Sequence, residues 1–379
     1  MNRIAELHSL GQSIWYDNIE RKLLENGELA GLIKRGDIRG VTSNPSIFNK
    51  AIGKTNDYND VLKSLARDGM SAEEIFYELA VEDIRSAADL FRDLYDQTGG
   101  ADGFVSLEVS PTLAHDAEKT ALEVKRLWDW VNRPNLMVKI PATIEGLSAI
   151  RKSIAAGINV NVTLIFSLVR YAAVIDAFMS GLEDRLAAGQ PVDSIASVAS
   201  FFVSRVDTKV DKQLEEIVKN GGADASKANR LLGKAAIANA RLAYELFLET
   251  VNSDRFKKIE REGGQKQRPL WASTSTKNPA YRDVVYVEEL IGPHTVNTMP
   301  PQTLDAFRDH GESAVTITRD TKLAHQEIAD IEALGIAMST VTKELEDEGV
   351  KAFADAFEDL LKTIEERRKS ALVEMKSLK

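Results

Sequence analysis

Cysteine is absent from all 379 residues, which removes disulfides, thiol nucleophiles, cysteine-ligated zinc and iron–sulfur clusters together. Long apolar runs are absent too: no stretch reaches the ~18 residues of a membrane span, and Met1 to Leu10 holds no apolar segment of signal-peptide length. The expectation is a cytoplasmic chain with no membrane partner. Positive charge is in deficit, with 48 Lys and Arg against 58 Asp and Glu. The resulting net charge of -10 repels a phosphate backbone and argues against nucleic acid as a partner. One mixed-charge run, "DRFKKIEREGGQKQR" (254–268), reads as a solvated helix end and loop. The five histidines are scattered without metal-ligand spacing, so no metal site is assigned. No G-x-G-x-x-G follows the first strand pattern, which weakens an open dinucleotide-binding sheet.

What is present is a large apolar fraction, 44%, in short segments separated by helical patterns. The strand candidates are "SIWYD" (13–17), "RGVTS" (39–43), "GFVSLEV" (103–109), "NLMVKI" (135–140), "INVNVT" (158–163), "VASFFVS" (198–204), "PLWAS" (269–273) and "HTVNT" (294–298). Between them, Ser71 and Glu74 form a capping-box signature, and two helical stretches close on glycines 157 and 189. Eight strands alternating with helices predict an α/β fold, a (β/α)8 TIM barrel with additional helices and a long C-terminal helix. The expected organisation is one barrel domain over 1–379, with a helical insertion near 45–102 and a C-terminal helical extension from about 310. The tail from about 339 reads as an amphipathic helix packed on the barrel, since its heptads are not sustained.

In such a barrel the C-terminal ends of the strands face the active site. Those ends carry Asp17, Thr42 to Asn44, Glu108, Lys139, Asn161 with Thr163, Ser200 and Ser273. In "INVNVT" the period of two puts Asn159, Asn161 and Thr163 on one face and the apolar residues on the other. Lys139 is the sharpest signal, a lysine inside "PNLMVKIPAT", where burial is expected and lysine is rarely buried. In general, burial favours the neutral, nucleophilic amine, while carboxylates nearby pull the other way. Two readings fit these residues equally: a structural ion pair with Glu108, or a Schiff-base lysine served by carboxylates that move protons. Arg205 and Lys277 stand where a phosphate anchor would be needed, and loop charges on the surface would look the same.

Five strand-end stretches, "GVTSNPSIF" (40–48), "FVSLEVSP" (104–111), "LMVKIPAT" (136–143), "INVNVTLIFS" (158–167) and "SFFVSRVD" (200–207), together resemble the transaldolase family. The segment 271–300 resembles the family's longer bacterial and plant-type branch. The resemblance runs in family order from residue 13 to about 305. It implies a Schiff-base transferase of the pentose phosphate pathway that needs no cofactor or metal. Such an enzyme carries a dihydroxyacetone unit from sedoheptulose 7-phosphate to glyceraldehyde 3-phosphate. Lys139 matches the Schiff-base lysine, Asp17 the acid/base aspartate, Glu108 a glutamate working through a bound water, and Thr163 a residue that helps hold that water. Asn44 and Asn161 match asparagines that bind the dihydroxyacetone moiety, Ser200 a hydroxyl on the substrate, and Arg205 a phosphate anchor. Shorter family members place a serine and then an arginine on the phosphate; "ASTSTKN" has no arginine, so Ser273 and Lys277 take those places. The implied partners are sugar phosphates, bound by a monomer or homodimer. The nearest alternative is a fructose 6-phosphate aldolase on the same scaffold, and the more distant one a sugar-phosphate-binding barrel without catalysis.

Overall fold

A computed structural model describes residues 2–377. Eight parallel strands close a barrel in sequence order: β1 (Gln12–Tyr16), β2 (Gly40–Val41), β3 (Phe104–Glu108), β4 (Leu136–Pro141), β5 (Val160–Ile165), β6 (Ser197–Phe202), β7 (Arg268–Ala272) and β8 (Thr295–Met299). Closure is made by β1 on β8 over five paired positions, Gln12 with Thr295 through Tyr16 with Met299. The expected (β/α)8 barrel is the observed fold, and its ends differ from the sequence reading for local reasons. β2 is only two residues long because the chain turns away after Thr42, so that Asn44 can cap the helix Pro45–Phe48. β6 stops at Phe202 because Ser204 already begins the helix Ser204–Asn220. β5 runs on to Ile165 through a shift in its pairing with β6, with Leu164 at a left-handed φ of 61°.

The helical signals also materialise. Ser71 and Glu74 form the reciprocal capping box at the start of the helix Ala72–Leu90. Gly157 and Gly189 take positive φ just past their helices. Between β2 and β3 lie further helices, Asn59–Arg67 and Arg92–Gln97, together with a π-helical turn, Asn49–Gly53. After the helix Pro301–His310 come Thr321–Ala333 and the long C-terminal helix Met338–Ser377. Among the described residues no helix is long and apolar enough to cross a membrane.

The N-terminal end of the barrel contains a cavity of about 380 Å³, lined in part by Trp15, Arg39, Asp102, Met137 and Arg268. Several of its polar groups pair with one another. Asp102 accepts from Ser13 at 2.8 Å, from Trp15 Nε1 at 3.3 Å and from Arg39 and Arg268, each at 3.3 Å. Arg268 also donates to Ser13 Oγ and Thr295 O. A buried carboxylate tied to four side chains, from β1, β7 and the residue before β2, fixes the barrel floor.

Candidate active site

At the opposite end, the strand ends surround a second cavity of about 480 Å³. Register explains the convergence. Glu108 of β3 pairs with Lys139 of β4, Lys139 pairs with Asn161 of β5, and Thr163 pairs one step higher with Pro141. Because side chains alternate along a strand, these four polar residues all point inward while Val138, Val160 and Val162 face the helices.

Lys139 is 5% exposed, and its Nζ lies 3.1 Å from Glu108 Oε2. It donates at 2.9 Å to the carbonyl of Ser43, which the early departure of the chain from β2 has turned inward. At 3.1 Å Glu108 Oε2 meets Lys139 as a buried ion pair and has no other partner among the described residues, and Thr163 Oγ1 is unpartnered. Buried polar atoms of this kind ordinarily have partners, so the two mark a place suited to a bound water or a substrate hydroxyl. Burial raises the Glu108 carboxyl above its ordinary range, an effect that Lys139 opposes and Asp17 reinforces.

Asp17 follows β1 directly, its amide held by Met299 O at 2.8 Å. Its carboxylate accepts from Thr42 Oγ1 at 2.7 Å, and Thr42 in turn meets Thr298 Oγ1 at 2.5 Å. Part of Asp17 faces the cavity, yet the surrounding protein mass desolvates it enough to raise its pKa against the opposing pull of Thr42, Lys139, Lys50 and Lys277.

Asn44, Thr163, Ser200, Arg205, Ser273 and Lys277 all line the cavity with Asp17 and Lys139. Asn161 and Glu108 do not. Asn161 is fully buried, with its Nδ2 donating to Ser106 Oγ at 3.1 Å and its Oδ1 accepting from Ser200 Oγ at 2.7 Å. It thereby aims Ser200 at the cavity from beneath. Glu108 reaches the site through Lys139 and lines a small neighbouring pocket with Asn44, Phe76 and Phe357. Asn44 uses its Oδ1 to cap Ile47 N at 3.0 Å.

Arg205, Lys277 and Lys50 form a cationic side of the cavity. Arg205 stands in the first turn of the helix Ser204–Asn220, beside its amide-bearing terminus, and its guanidinium lies 5.4 Å from the Phe202 ring. Desolvation lowers its pKa. Lys277, at the rim, donates to Ser275 Oγ at 2.7 Å, and desolvation followed by the charges of Arg205 and Lys50 lowers it as well. Ser273 adopts a left-handed φ of 55° at the end of β7, with its Oγ 3.0 Å from Ser204 Oγ. Lys50 was not singled out in the sequence because it lies in the π-helical turn, outside any strand end. Phe353 was missed for a similar reason: it comes from the C-terminal helix, and its ring centre lies 5.9 Å from Lys139 Nζ.

A buried lysine flanked by two carboxyl groups at a barrel mouth, with cations a short way off, has the chemistry to form a Schiff base with a phosphorylated carbonyl compound. Comparison with known proteins narrows the class. Residues 14–364 match the family described as Transaldolase/Fructose-6-phosphate aldolase, and the chain belongs to that family. A transaldolase of Parafrankia sp. is 50% identical over 97% of this chain and 98% of its own length. One from Thermobifida fusca is 50% identical over 94% of this chain and 96% of its own, and Transaldolase 1 of Streptomyces avermitilis is 49% identical over 96% and 95%.

Proposed function

We propose that this chain is a transaldolase, moving a dihydroxyacetone unit from sedoheptulose 7-phosphate to glyceraldehyde 3-phosphate through a Schiff base on Lys139. The observation that carries this reading is the placement of Lys139: 5% exposed, against Glu108, at the floor of a polar cavity with a cationic side. The products are erythrose 4-phosphate and fructose 6-phosphate, and the same reading puts the enzyme in the cytoplasm, in the pentose phosphate pathway.

The amine of Lys139 attacks C2 of the ketose phosphate. Glu108, with a water shared by Thr163, relays the protons of dehydration, a role supported by an Oε2 that meets Lys139 alone and by the unpartnered Thr163 Oγ1. Asp17 takes the proton from the C4 hydroxyl as the C3–C4 bond breaks, and the iminium receives the electron pair as an enamine. Asn44 and Ser200 hold the hydroxyls of the retained three-carbon unit, with Asn161 orienting Ser200. Arg205, Lys277 and Ser273 hold the phosphate. The enamine then attacks an incoming aldehyde, Asp17 returns the proton to the new C4 oxygen, and water delivered at Glu108 and Thr163 hydrolyses the product iminium, freeing the ketose phosphate and the Lys139 amine. Lys277 neutralises charge as a point cation and lacks the planar fork of the arginine found in shorter relatives.

The aldolase reading uses the same lysine and differs only in the fate of the enamine. A test is to supply fructose 6-phosphate with and without erythrose 4-phosphate. Sedoheptulose 7-phosphate formed faster than free dihydroxyacetone supports transfer; free dihydroxyacetone at the same rate in both reactions contradicts it.

A further inference from the structure

The C-terminal helix reaches the reacting lysine by a fixed route. Glu346 pairs with Arg170 at 3.2 Å, at the start of the helix Leu168–Ala187. One turn on, Gly349 meets the end of β5 so closely that a Cβ there would stand 2.9 Å from Leu164 Cδ2. Phe353 and Phe357 follow at intervals of four, on the same face of the helix. Phe353 is 5% exposed and lines the cavity; Phe357 packs edge-on against Phe76 at 5.2 Å. Further along, Arg367 donates to the carbonyls of Ile52 and Gly53 at 2.7 and 2.8 Å, tying the helix to the π-helical turn that carries Lys50. Phe353 is therefore held at the cavity by contacts on both sides along its helix.

From this geometry we infer that Phe353 is a specificity-determining residue that keeps the water of the open cavity, and the protons it carries, away from the enamine at Lys139 until the acceptor aldehyde is bound, and so commits the enamine to transfer. The inference rests on the transaldolase reading. The competing fate of the enamine is simple to write. Its C3 takes a proton to give the iminium; water adds at C2, the C–N bond breaks with the nitrogen taking a proton, and free dihydroxyacetone leaves. Enamine plus water thus gives ketone plus amine, and the only reactant this path needs beyond the intermediate is water. Most of the cavity lining is polar, with Asp17, Thr42, Asn44, Thr163, Ser200, Ser273 and Thr298 all able to hold water. The face that Phe353 turns to Lys139 offers no hydrogen-bonding partner of comparable strength, and its π-cloud favours a cation at that nitrogen.

The test compares the full chain with F353A and F353L, each given fructose 6-phosphate and erythrose 4-phosphate. Sedoheptulose 7-phosphate and free dihydroxyacetone are measured in the same reaction. Their ratio does not depend on how much of a variant is folded. We expect free dihydroxyacetone relative to sedoheptulose 7-phosphate to rise about tenfold in F353A, and F353L, which restores apolar volume, to lie within about threefold of the unaltered chain. An unchanged ratio in F353A, or a ratio in F353L as high as in F353A, overturns the inference. Absence of sedoheptulose 7-phosphate with the unaltered chain would overturn the transaldolase reading itself, a separate result from either of these.

Discussion

Asp17 and Glu108 flank Lys139 in unlike surroundings, which is the basis of the separate roles proposed for them. Glu108 is in direct ionic contact with the amine, whereas Asp17 is held by Thr42 and faces the cavity. Asp17→Asn should therefore slow carbon–carbon cleavage far more than imine formation. Rapid-quench kinetics with borohydride can separate the two steps, and a larger loss in imine formation would reassign the residue. Because burial raises the pKa of Asp17, the acid limb of the cleavage rate should lie above the ordinary carboxylate range. The cations also differ in kind. Arg205→Ala removes a half-buried guanidinium and should raise KM for the phosphorylated ketose about a hundredfold, while Lys50→Ala, at an exposed point charge, should raise it about fivefold with kcat nearly unchanged. Steady-state kinetics at fixed ionic strength would check both, and equal effects would contradict the distinction.

The connection from β7 to β8 carries Ser273 and Lys277, and it is tied to the helix Ser204–Asn220 by two tyrosine–carboxylate pairs. Tyr286 donates to Asp207 and Tyr281 to Asp211, each at 2.7 Å, while Asp207 also accepts from Ala236 N. Burial, then the nearby charge of Asp211, raises the Asp207 carboxyl to about 7 from 3.8. The folded state thus holds this proton more tightly than the unfolded chain. The stability it contributes is fully present below 3.8 and is lost as pH rises toward about 7. Asp207→Asn keeps an oxygen acceptor and removes the titration. Its melting temperature relative to the unaltered chain should climb by about 3 °C or more between pH 4 and pH 7 and then level off. A difference that stays constant over that window would contradict the account of this link.

On the scale of the whole molecule, the barrel was legible because short apolar segments alternate with helical patterns, some of them marked by a capping box or a closing glycine. Lys139, Glu108 and Thr163 were legible because strand alternation and register are local rules that place side chains inside a closed sheet. Asn161 shows where those rules stop. They put it inside the barrel but do not reveal that Ser106 and Ser200 occupy its amide and leave Ser200 at the surface of the cavity. Lys50 and Phe353 were not legible at all. One rides on a π-helical turn, and the other arrives from the far end of the chain on a helix whose pattern signals only that it packs on something. Long-range placement of that kind is set by contacts such as Gly349 on Leu164, which have no periodic signature.

The central claim, that Lys139 forms the Schiff base, is tested most directly by borohydride reduction in the presence of fructose 6-phosphate, followed by peptide mass mapping and repeated with Lys139→Ala. The account predicts a dihydroxyacetone adduct on the peptide that carries Lys139, with no adduct and no turnover in the variant. An adduct on another lysine, or substantial turnover by Lys139→Ala, would contradict it and reduce Lys139 to the structural partner of Glu108.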